Sequence, residues 1–234
     1  MRILLIIPCY NEQESILALY KEIQLEASDN DVLVINDCST DGSLIVLQEN
    51  NIPHLNLPLN LGIGGAVQAG YRYAYKSNYD IAVQVDGDGQ HDPSWIRKLV
   101  EPIQNGQADM VIGSRFLERY GFQSSSLRRI GISFFKFLLI CLTGKRITDP
   151  TSGFRAVNRS IMLLYSKDYA KDYPEPESSM LALHNRFRIF EIPVVMRERQ
   201  SGASSIHTFK SAYYMLKVSI SILLCVIRPR VVKK

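Results

Sequence analysis

Short apolar runs alternate with segments of helical periodicity through the first half of this 234-residue chain. Apolar runs that suit buried strands lie at residues 3–7, 32–35 and 81–85, and a short strand of mixed composition is predicted between the last two, at 54–57. Three segments with helical spacing of apolar residues separate them, at about residues 16–27, 43–50 and 66–76. This order predicts an α/β fold with a mostly parallel, doubly wound sheet.

The second half is less regular, so its elements are predicted from local signals. The predicted elements are a helix at 95–103, a short strand at 110–112, a helix at 131–143, a strand at 188–196 and an apolar segment at 209–227. Pro193 cannot donate to a strand ladder, which places the strand at 188–196 on an edge of the sheet.

Two carboxylates follow the fourth predicted strand. Asp86 and Asp88 are separated by one residue in a glycine-rich turn, and strand ends are where open α/β sheets bind ligands. Both could face a divalent cation that also binds phosphate oxygens, because hard cations prefer oxygen ligands. The competing interpretation is a solvated turn that caps the next helix.

Charge is distributed unevenly. The net charge is only +4, yet the segment from Arg115 to Arg155 contains eight basic and two acidic residues, which predicts an anionic ligand there.

With 46% hydrophobic residues, the chain can bury a core as one domain. The four cysteines are scattered and indicate small buried hydrophobes in a reducing compartment.

A glycine-rich segment at residues 60–65 is superficially like a dinucleotide loop. It lacks the acidic residue expected about 20 positions later in the same βαβ unit, which argues against a nicotinamide dehydrogenase. The glycines instead favour close approach of the backbone to a nucleotide ribose or phosphate.

Two function classes remain. A noncatalytic nucleotide- or membrane-binding module would have no use for the carboxylate pair, whereas a transferase of nucleotide-activated sugars would use the carboxylates, the glycine segment and the basic segment.

Six motifs together resemble family 2 glycosyltransferases of the GT-A fold, and within them the dolichyl- and polyprenyl-phosphate sugar synthases of the short bacterial cell-envelope type. They are Pro-Cys-Tyr-Asn-Glu at residues 8–12, Asn-Asp-Cys-Ser-Thr-Asp-Gly at 36–42, Asn-Leu-Gly at 60–62, Asp-Gly-Asp-Gly-Gln-His at 86–91, Ile-Gly-Ser-Arg at 112–115 and Asp-Pro-Thr-Ser-Gly-Phe-Arg at 149–155. The resemblance implies an inverting transfer from a UDP- or GDP-sugar.

The resemblance also implies a donor site and a metal site. The residues that it assigns to the donor are Pro8, Tyr10, Glu12, Asp37, Gly62, Asp86 and Asp88. Asp88 and Gln90 match the ligands of a divalent metal, Mg²⁺ or Mn²⁺, which would neutralise charge on the departing nucleotide diphosphate.

At the acceptor end, the resemblance implies catalytic roles for Asp149, Arg115, Arg129 and Arg199. Asp149 could act as a base, although a phosphate acceptor is already nucleophilic and needs only positioning. A serine, Ser205, stands where the synthases commonly have lysine, which leaves Arg199 as the expected cation near the leaving group.

Structural roles are expected for two further residues, one in the last of these motifs and one outside all six. Arg155 is expected to be structural, paired with Asp149. Glu177 is expected to cap a helix, with a sugar contact as the alternative.

The predicted organisation is a glycosyltransferase domain at 1–205 and an apolar, basic membrane-associating helix at 206–234. The 16 residues from 212 to 227 are fewer than the roughly 20 needed to span a bilayer, and they suit an interfacial helix followed by basic residues. Residues 132–142 could form a second interfacial surface, whereas ordinary core or a dimer face is the alternative for both segments.

The expected activity is therefore transfer of glucose, N-acetylglucosamine or a similar sugar from a UDP-sugar to polyprenyl (undecaprenyl) phosphate for cell-envelope polysaccharide. The alternative acceptor is a saccharide hydroxyl of a lipid-linked glycan. The expected location is the cytoplasmic face of a bacterial membrane. A small membrane protein or a second copy of the chain is expected as a further partner, and binding of nucleic acid is not expected.

Overall fold

The structure is a computed structural model that describes residues 1–118, 126–197 and 208–229. Its strands are β1 (Ile3–Cys9), β2 (Asp31–Asn36), β3 (His54–Asn56), β4 (Ile81–Gln84), β5 (Met110–Ser114), β6 (Arg155–Asn158) and β7 (Ile189–Pro193). Its helices are α1 (Ile16–Glu26), α2 (Ser43–Glu49), α3 (Gly62–Lys76), α4 (Ile96–Gln104), α5 (Ser126–Thr143), α6 (Arg159–Lys167), α7 (Pro174–His184) and α8 (Thr208–Ile227).

The seven strands form one sheet in the order β3-β2-β1-β4-β6-β5-β7. The strands β1 to β4 are mutually parallel and β7 is parallel to β5, whereas β6 runs antiparallel to both of its neighbours. The predicted mostly parallel α/β fold is confirmed, as is the edge position of the strand that contains Pro193. The strand β6 was not predicted, because four residues that begin with an arginine carry no strand signal.

Helices cover both faces of the sheet. Along β1, Leu4 and Ile6 pack against one set of helices, while Leu5 and Ile7 pack against the other, as the two-residue period of a strand requires. The helices α1 and α4 contribute to the second face, and α3, α5, α6, α7 and α8 to the first. Because the parallel strands all end at one edge, their polar termini meet there.

The helices α5, α7 and α8 form a layer in which α7 and α8 run parallel. Glu177 of α7 hydrogen-bonds Ser221 of α8, and His184 Nε2 lies 2.9 Å from the carbonyl oxygen of Arg228. The two residues of each pair are 44 positions apart in the sequence, so the helices run in the same direction. Val218, Ile222 and Cys225 of α8 are buried in the core. The alternative prediction for the apolar C-terminal segment, that it packs in the core, is therefore confirmed for one face of α8. The predicted domain boundary at residue 205 lies outside the described residues.

The opposite faces of α5 and α8 carry exposed apolar side chains. They are Phe134, Phe137 and Ile140 on α5, and Leu216, Ile220, Leu223, Leu224 and Ile227 on α8. None of the helices in the described ranges is long and apolar enough to cross a membrane.

Candidate active site

The carboxyl end of β1 carries Pro8, Tyr10 and Glu12, which the resemblance assigns to the base and ribose. Pro8 is buried, whereas Tyr10 is 48% exposed at the sheet edge. Ser15 Oγ lies 2.9 Å from Glu12 Oε2 and 2.8 Å from the carbonyl oxygen of Gly87, so it links this strand end to the loop after β4. A Cβ on Gly87 would lie 2.9 Å from the Pro8 carbonyl oxygen, so the two segments pack at a distance that only glycine allows.

Asp37 follows β2 and is buried. Its Oδ1 accepts a hydrogen bond from the Leu61 amide at 2.7 Å, immediately before α3. Burial raises the pKa of Asp37, while the amides of Leu61 and Gly62 oppose that rise. Gly62 begins the helix with a φ of 76°, which favours glycine. Asp37 therefore joins the end of β2 to the positive end of α3, and its contact with a nucleotide base stays a prediction.

A different packing role appears for Gly64, in the first turn of α3. A Cβ there would lie 1.9 Å from the carbonyl oxygen of Ala170 and 2.4 Å from that of Lys171. The Gly64 amide donates to the same Lys171 oxygen at 3.0 Å. The glycine segment was predicted to lie close to a nucleotide. At Gly64, the group that lies close is instead the backbone of residues 170 and 171.

Asp86 is oriented by its neighbours. Gln84 Nε2 donates to Asp86 Oδ1 at 3.0 Å, and the Asp86 amide donates to His91 Nδ1 at 2.9 Å. Because Nδ1 accepts, a neutral His91 carries its proton on Nε2, which lies 3.6 Å from Asp86 Oδ2. The buried His91 ring stacks on Phe154 with centroids 4.7 Å apart, and a Cβ on Gly153 would lie 2.9 Å from Asp86 Oδ2. Segments 86–91 and 149–155 thus form one unit.

Asp88 and Gln90 lie in the same loop. The Gln90 amide donates to Asp88 Oδ1 at 3.1 Å, and Gln90 Nε2 donates to the Arg197 carbonyl oxygen at 3.3 Å. Arg197 returns a backbone bond to Gln90 at 3.0 Å and forms a bidentate pair with Glu22. The chain is therefore anchored beside the predicted metal ligands just before residues 198–205, and Arg199 lies outside the described residues.

A divalent cation fits the donor set of this loop, although the protein alone does not complete a cage. Within the described ranges, no three His, Cys, Asp or Glu side chains are grouped so as to hold a metal. Asp86 and Asp88 supply carboxylate oxygens, and Gln90 keeps Oε1 because its Nε2 is used by Arg197. Such an incomplete oxygen set suits Mg²⁺ or Mn²⁺ bound jointly with the phosphates of a substrate.

Asp149 and Arg115 form a buried ion pair beyond this loop. Asp149 is 0% exposed, and its Oδ2 and Oδ1 accept from Arg115 Nε at 2.7 Å and Nη2 at 2.8 Å. The Arg115 amide and Thr151 Oγ1 also bond the Asp149 carboxylate. Burial works against the Arg115 charge, yet the bonds from Asp149 prevail and raise the Arg115 pKa. The carboxylate is thus engaged with protein donors, which suits a positioning role.

Glu191 on β7 was missed by the sequence interpretation. Its Oε1 accepts from the Asp149 amide at 2.9 Å, and its two oxygens lie 2.9 and 2.7 Å from the Thr148 amide nitrogen. Glu191 therefore fixes the loop that carries Asp149, which in turn fixes Arg115. An isolated glutamate in an edge strand gives no sequence signal for this role, since its partners lie 42 and 43 residues away.

Basic side chains of α5 flank the ion pair. Lys136 Nζ lies 4.4 Å from the centre of the Phe116 ring, and the Arg115 guanidinium carbon lies 5.4 Å from the same ring. Burial lowers the pKa of Lys136, opposed by the charges of Asp149 and Glu191. Arg129 lies in the first part of α5 with an exposed side chain, and its predicted phosphate contact stays a prediction. Lys136 is a cation that the sequence interpretation counted without assigning it a role.

Arg155 is structural as predicted, but its predicted pairing with Asp149 is wrong. The side chain is fully buried, and it donates to the carbonyl oxygens of Ser152 and Pro150 at 2.6 and 2.9 Å and to Ser178 Oγ at 2.7 Å. Asp149 is already saturated by Arg115 and Thr151. Arg155 instead ties the 149–155 loop to α7.

Glu177 does not cap a helix as expected. It lies in the first turn of α7, where a negative charge is favourable, and its carboxylate bonds Ser221 of α8. Burial raises the Glu177 pKa, while the bond from Ser221 opposes the rise. The residue thus contributes to packing between two helices.

The strand ends, their carboxylates and the covering helices define a GT-A fold, which a structural comparison shows. Glucosyl-3-phosphoglycerate synthase from Mycobacterium tuberculosis, solved with Mn²⁺ and UDP-glucose, matches with a TM-score of 0.73 at 19% identity, over 97% of this chain and 80% of that chain.

Sequence comparison gives the family. The glycosyl transferase family 2 model matches residues 4–163. A UDP-N-acetylglucosamine–dolichyl-phosphate N-acetylglucosaminyltransferase of Methanococcus voltae is 33% identical over 215 residues, covering 82% of this chain and 84% of the relative. An undecaprenyl-phosphate mannosyltransferase of Micrococcus luteus is 31% identical over 213 residues, covering 87% of each chain. The chain belongs to glycosyl transferase family 2 and is a glycosyltransferase.

Proposed function

We propose that this enzyme transfers a hexose or N-acetylhexosamine, such as glucose or N-acetylglucosamine, from a UDP-sugar to polyprenyl phosphate with inversion at the anomeric carbon. Undecaprenyl phosphate is the proposed acceptor if the source is bacterial. The names of both curated relatives above, each a transferase acting on a lipid phosphate, support this acceptor class.

The buried Asp149–Arg115 pair is the observation that carries the choice of acceptor. A hydroxyl acceptor needs a base to remove its proton, whereas a phosphate oxygen is ionised at neutral pH. Asp149 is fully buried, and its oxygens already accept bonds from Arg115 and Thr151. An arrangement that holds an arginine in place favours binding of an anionic acceptor over removal of a proton.

Each part of the site then has a defined task. Arg115 uses Nε and Nη2 for Asp149, which leaves Nη1 to donate to the acceptor phosphate. Lys136 adds a positive charge beside it. A phosphate oxygen of the acceptor forms the new bond to the anomeric carbon as the bond from that carbon to the nucleotide diphosphate breaks. The departing diphosphate carries the electron pair away.

The donor end holds the nucleotide and its diphosphate. Asp37, Tyr10 and Glu12 border the proposed pocket for base and ribose, and His91 and Gln84 keep Asp86 oriented toward that pocket. Asp88 and Gln90 would hold Mg²⁺ or Mn²⁺, which would supply positive charge to the leaving diphosphate. Arg199 is proposed as a second cation for the same group.

The exposed apolar faces of α5 and α8 support a peripheral location on the membrane, which we propose to be its cytoplasmic face. On α8, Leu216, Ile220, Leu223 and Ile227 recur at helical spacing, opposite to the buried stripe that contains Ile222. Contiguous exposed apolar surface of this kind marks an interaction site. The faces would place a membrane-bound acceptor close to Lys136, which lies on α5.

A transfer assay tests the proposal. Purified protein is incubated in detergent with undecaprenyl phosphate and each of UDP-glucose, UDP-N-acetylglucosamine and GDP-mannose, all radiolabelled. We expect a lipid product that mild acid hydrolyses, formed with a UDP-sugar. Absence of such a product with every donor would contradict the proposed acceptor, and a product with GDP-mannose alone would contradict the proposed nucleotide.

A further inference from the structure

A cavity of about 600 Å³ lies at the sheet edge opposite to the proposed donor site. It is lined by Ile189 at the start of β7, which pairs with Met110 at the start of β5. The carboxyl ends of α5, α7 and α8 supply Leu142, Leu183 and Val226 to its wall. Its volume is in the range typical of small-molecule sites, and none of the proposed donor or acceptor residues lines it.

The lining of this cavity combines apolar walls with positive charge. The basic lining residues are Lys145, Arg146, His184, Arg186 and Arg188, and no acidic residue of the described chain lines the cavity. Apolar side chains such as Met180 and Phe187 form much of the rest. This combination matches an amphiphile with an anionic head.

Three of these charges are not neutralised by the protein. Arg188 bonds the Asp109 carboxylate, and His184 lies against the Arg228 carbonyl oxygen. In the part of the chain that the structure describes, Lys145, Arg146 and Arg186 form no ion pair, and all three are exposed. An uncompensated cluster of like charge raises the local concentration of anions.

We propose that this cavity binds the phosphate headgroup of an anionic glycerophospholipid. A free anion would gain nothing from the apolar walls, whereas a lipid places its acyl region against them. The cavity also lies at the carboxyl ends of α5 and α8, the two helices whose exposed apolar faces we assign to the membrane. The site is separate from the transfer site and would orient the enzyme on anionic membranes.

Vesicle flotation tests the site, with phosphatidylcholine vesicles that contain or lack phosphatidylglycerol. The test variant is Lys145→Gln/Arg186→Asn, because both residues line the cavity and asparagine tolerates the φ of 63° at residue 186. The matched control, Lys21→Gln/Arg97→Gln, removes the same charge from exposed residues of α1 and α4 on the other face of the sheet. We expect the test variant to lose binding to phosphatidylglycerol vesicles by roughly tenfold or more and the control to keep it. Equal binding by the two variants would overturn the proposal.

Two further measurements distinguish a bound lipid from a bound free anion and this cavity from the transfer site. By calorimetry, a short-chain phosphatidylglycerol below its micelle concentration should bind more tightly than inorganic phosphate, and equal affinities would overturn the assignment to a lipid. Transfer to a detergent-solubilised acceptor should be the same in the test variant and the wild type. Loss of transfer in the test variant would overturn the separation of the two sites. If the wild type binds phosphatidylglycerol vesicles but transfers no sugar, the proposed function fails and the lipid site stands.

Discussion

The Asp149–Arg115 pair determines how the acceptor end of the site works. We expect Asp149→Asn to lower the free energy of unfolding by about 3 kcal/mol, because removing one partner leaves a buried charge without its counterion. Transfer should persist with a raised acceptor KM, since Arg115 is mispositioned and no base is lost. Denaturant unfolding and steady-state kinetics at saturating donor measure the two effects.

A matched aspartate provides the control for that substitution. Asp41 is partly exposed and accepts bonds from the amides of Gln13 and Ser43, so Asp41→Asn should cost no more than about 1 kcal/mol. Loss of kcat in Asp149→Asn, with stability unchanged, would show that Asp149 is a base and would contradict the positioning role.

At the donor end, Gly153 is predicted to be essential for the position of Asp86. In Gly153→Ala the new Cβ would lie 2.9 Å from Asp86 Oδ2 and 3.0 Å from Gln84 Nε2, so the carboxylate must shift. We expect the KM for the nucleotide sugar to rise by roughly tenfold to a hundredfold. Gly131→Ala is the control, because its nearest atom is Met215 Sδ at 3.8 Å. Equal KM values in the two variants would refute the role of Gly153 in positioning Asp86.

The metal assignment predicts a specific response to chelation. Removal of divalent cations should reduce transfer by roughly a hundredfold or more, and Mn²⁺ or Mg²⁺ should restore it. Asp88→Asn should shift the metal concentration that gives half-maximal activity upward, whereas Asp41→Asn should not. Full activity after exhaustive chelation would contradict the roles of Asp88 and Gln90.

At the scale of elements, α8 presents two faces with different predicted roles. Ile222 is fully buried, so Ile222→Ala should lower the free energy of unfolding by about 2–5 kcal/mol. Leu223 is 50% exposed on the opposite face, so Leu223→Ala should leave stability within about 0.5 kcal/mol and weaken binding to vesicles. Denaturant unfolding and flotation distinguish the two. The reverse pattern would contradict the assignment of the faces.

Elements with a local signal could be predicted from sequence, and those defined by distant contacts could not. The strands β1, β2 and β4 are largely apolar, β3 is a short mixed segment that fits the alternating order, and β7 was recognisable as an edge strand from Pro193. By contrast, β6 begins with Arg155, whose burial depends on carbonyl oxygens in the preceding loop.

The same distinction holds for side chains of the site. The resemblance identified Asp86, Asp88 and Asp149 because their motifs are local. The role of Glu191 depends on Thr148, which is 43 residues earlier in the chain. The role of His91 depends on its contact with Phe154, a residue of a different motif, so only the fold reveals it.

On the scale of the whole molecule, the donor end lies at one edge of the sheet and the proposed lipid-facing layer lies on one of its faces. Parallel strands deliver carboxylates to one edge, and β5 and the 149–155 loop place Arg115 near them. The helix α5, which carries Lys136, exposes apolar side chains, as does α8. This arrangement accounts for transfer from a polar donor to an acceptor with a charged head and an apolar tail.

The most direct test of this arrangement compares two acceptors that differ only in the phosphate. Initial rates are measured with undecaprenyl phosphate and with undecaprenol, at equal concentration in the same detergent and with the donor that supports transfer. We predict a sugar-linked product with undecaprenyl phosphate and none with undecaprenol, because Arg115 binds an anion and no residue is assigned to deprotonate an alcohol. Transfer to undecaprenol at a comparable rate would contradict the proposed acceptor and the role of Arg115.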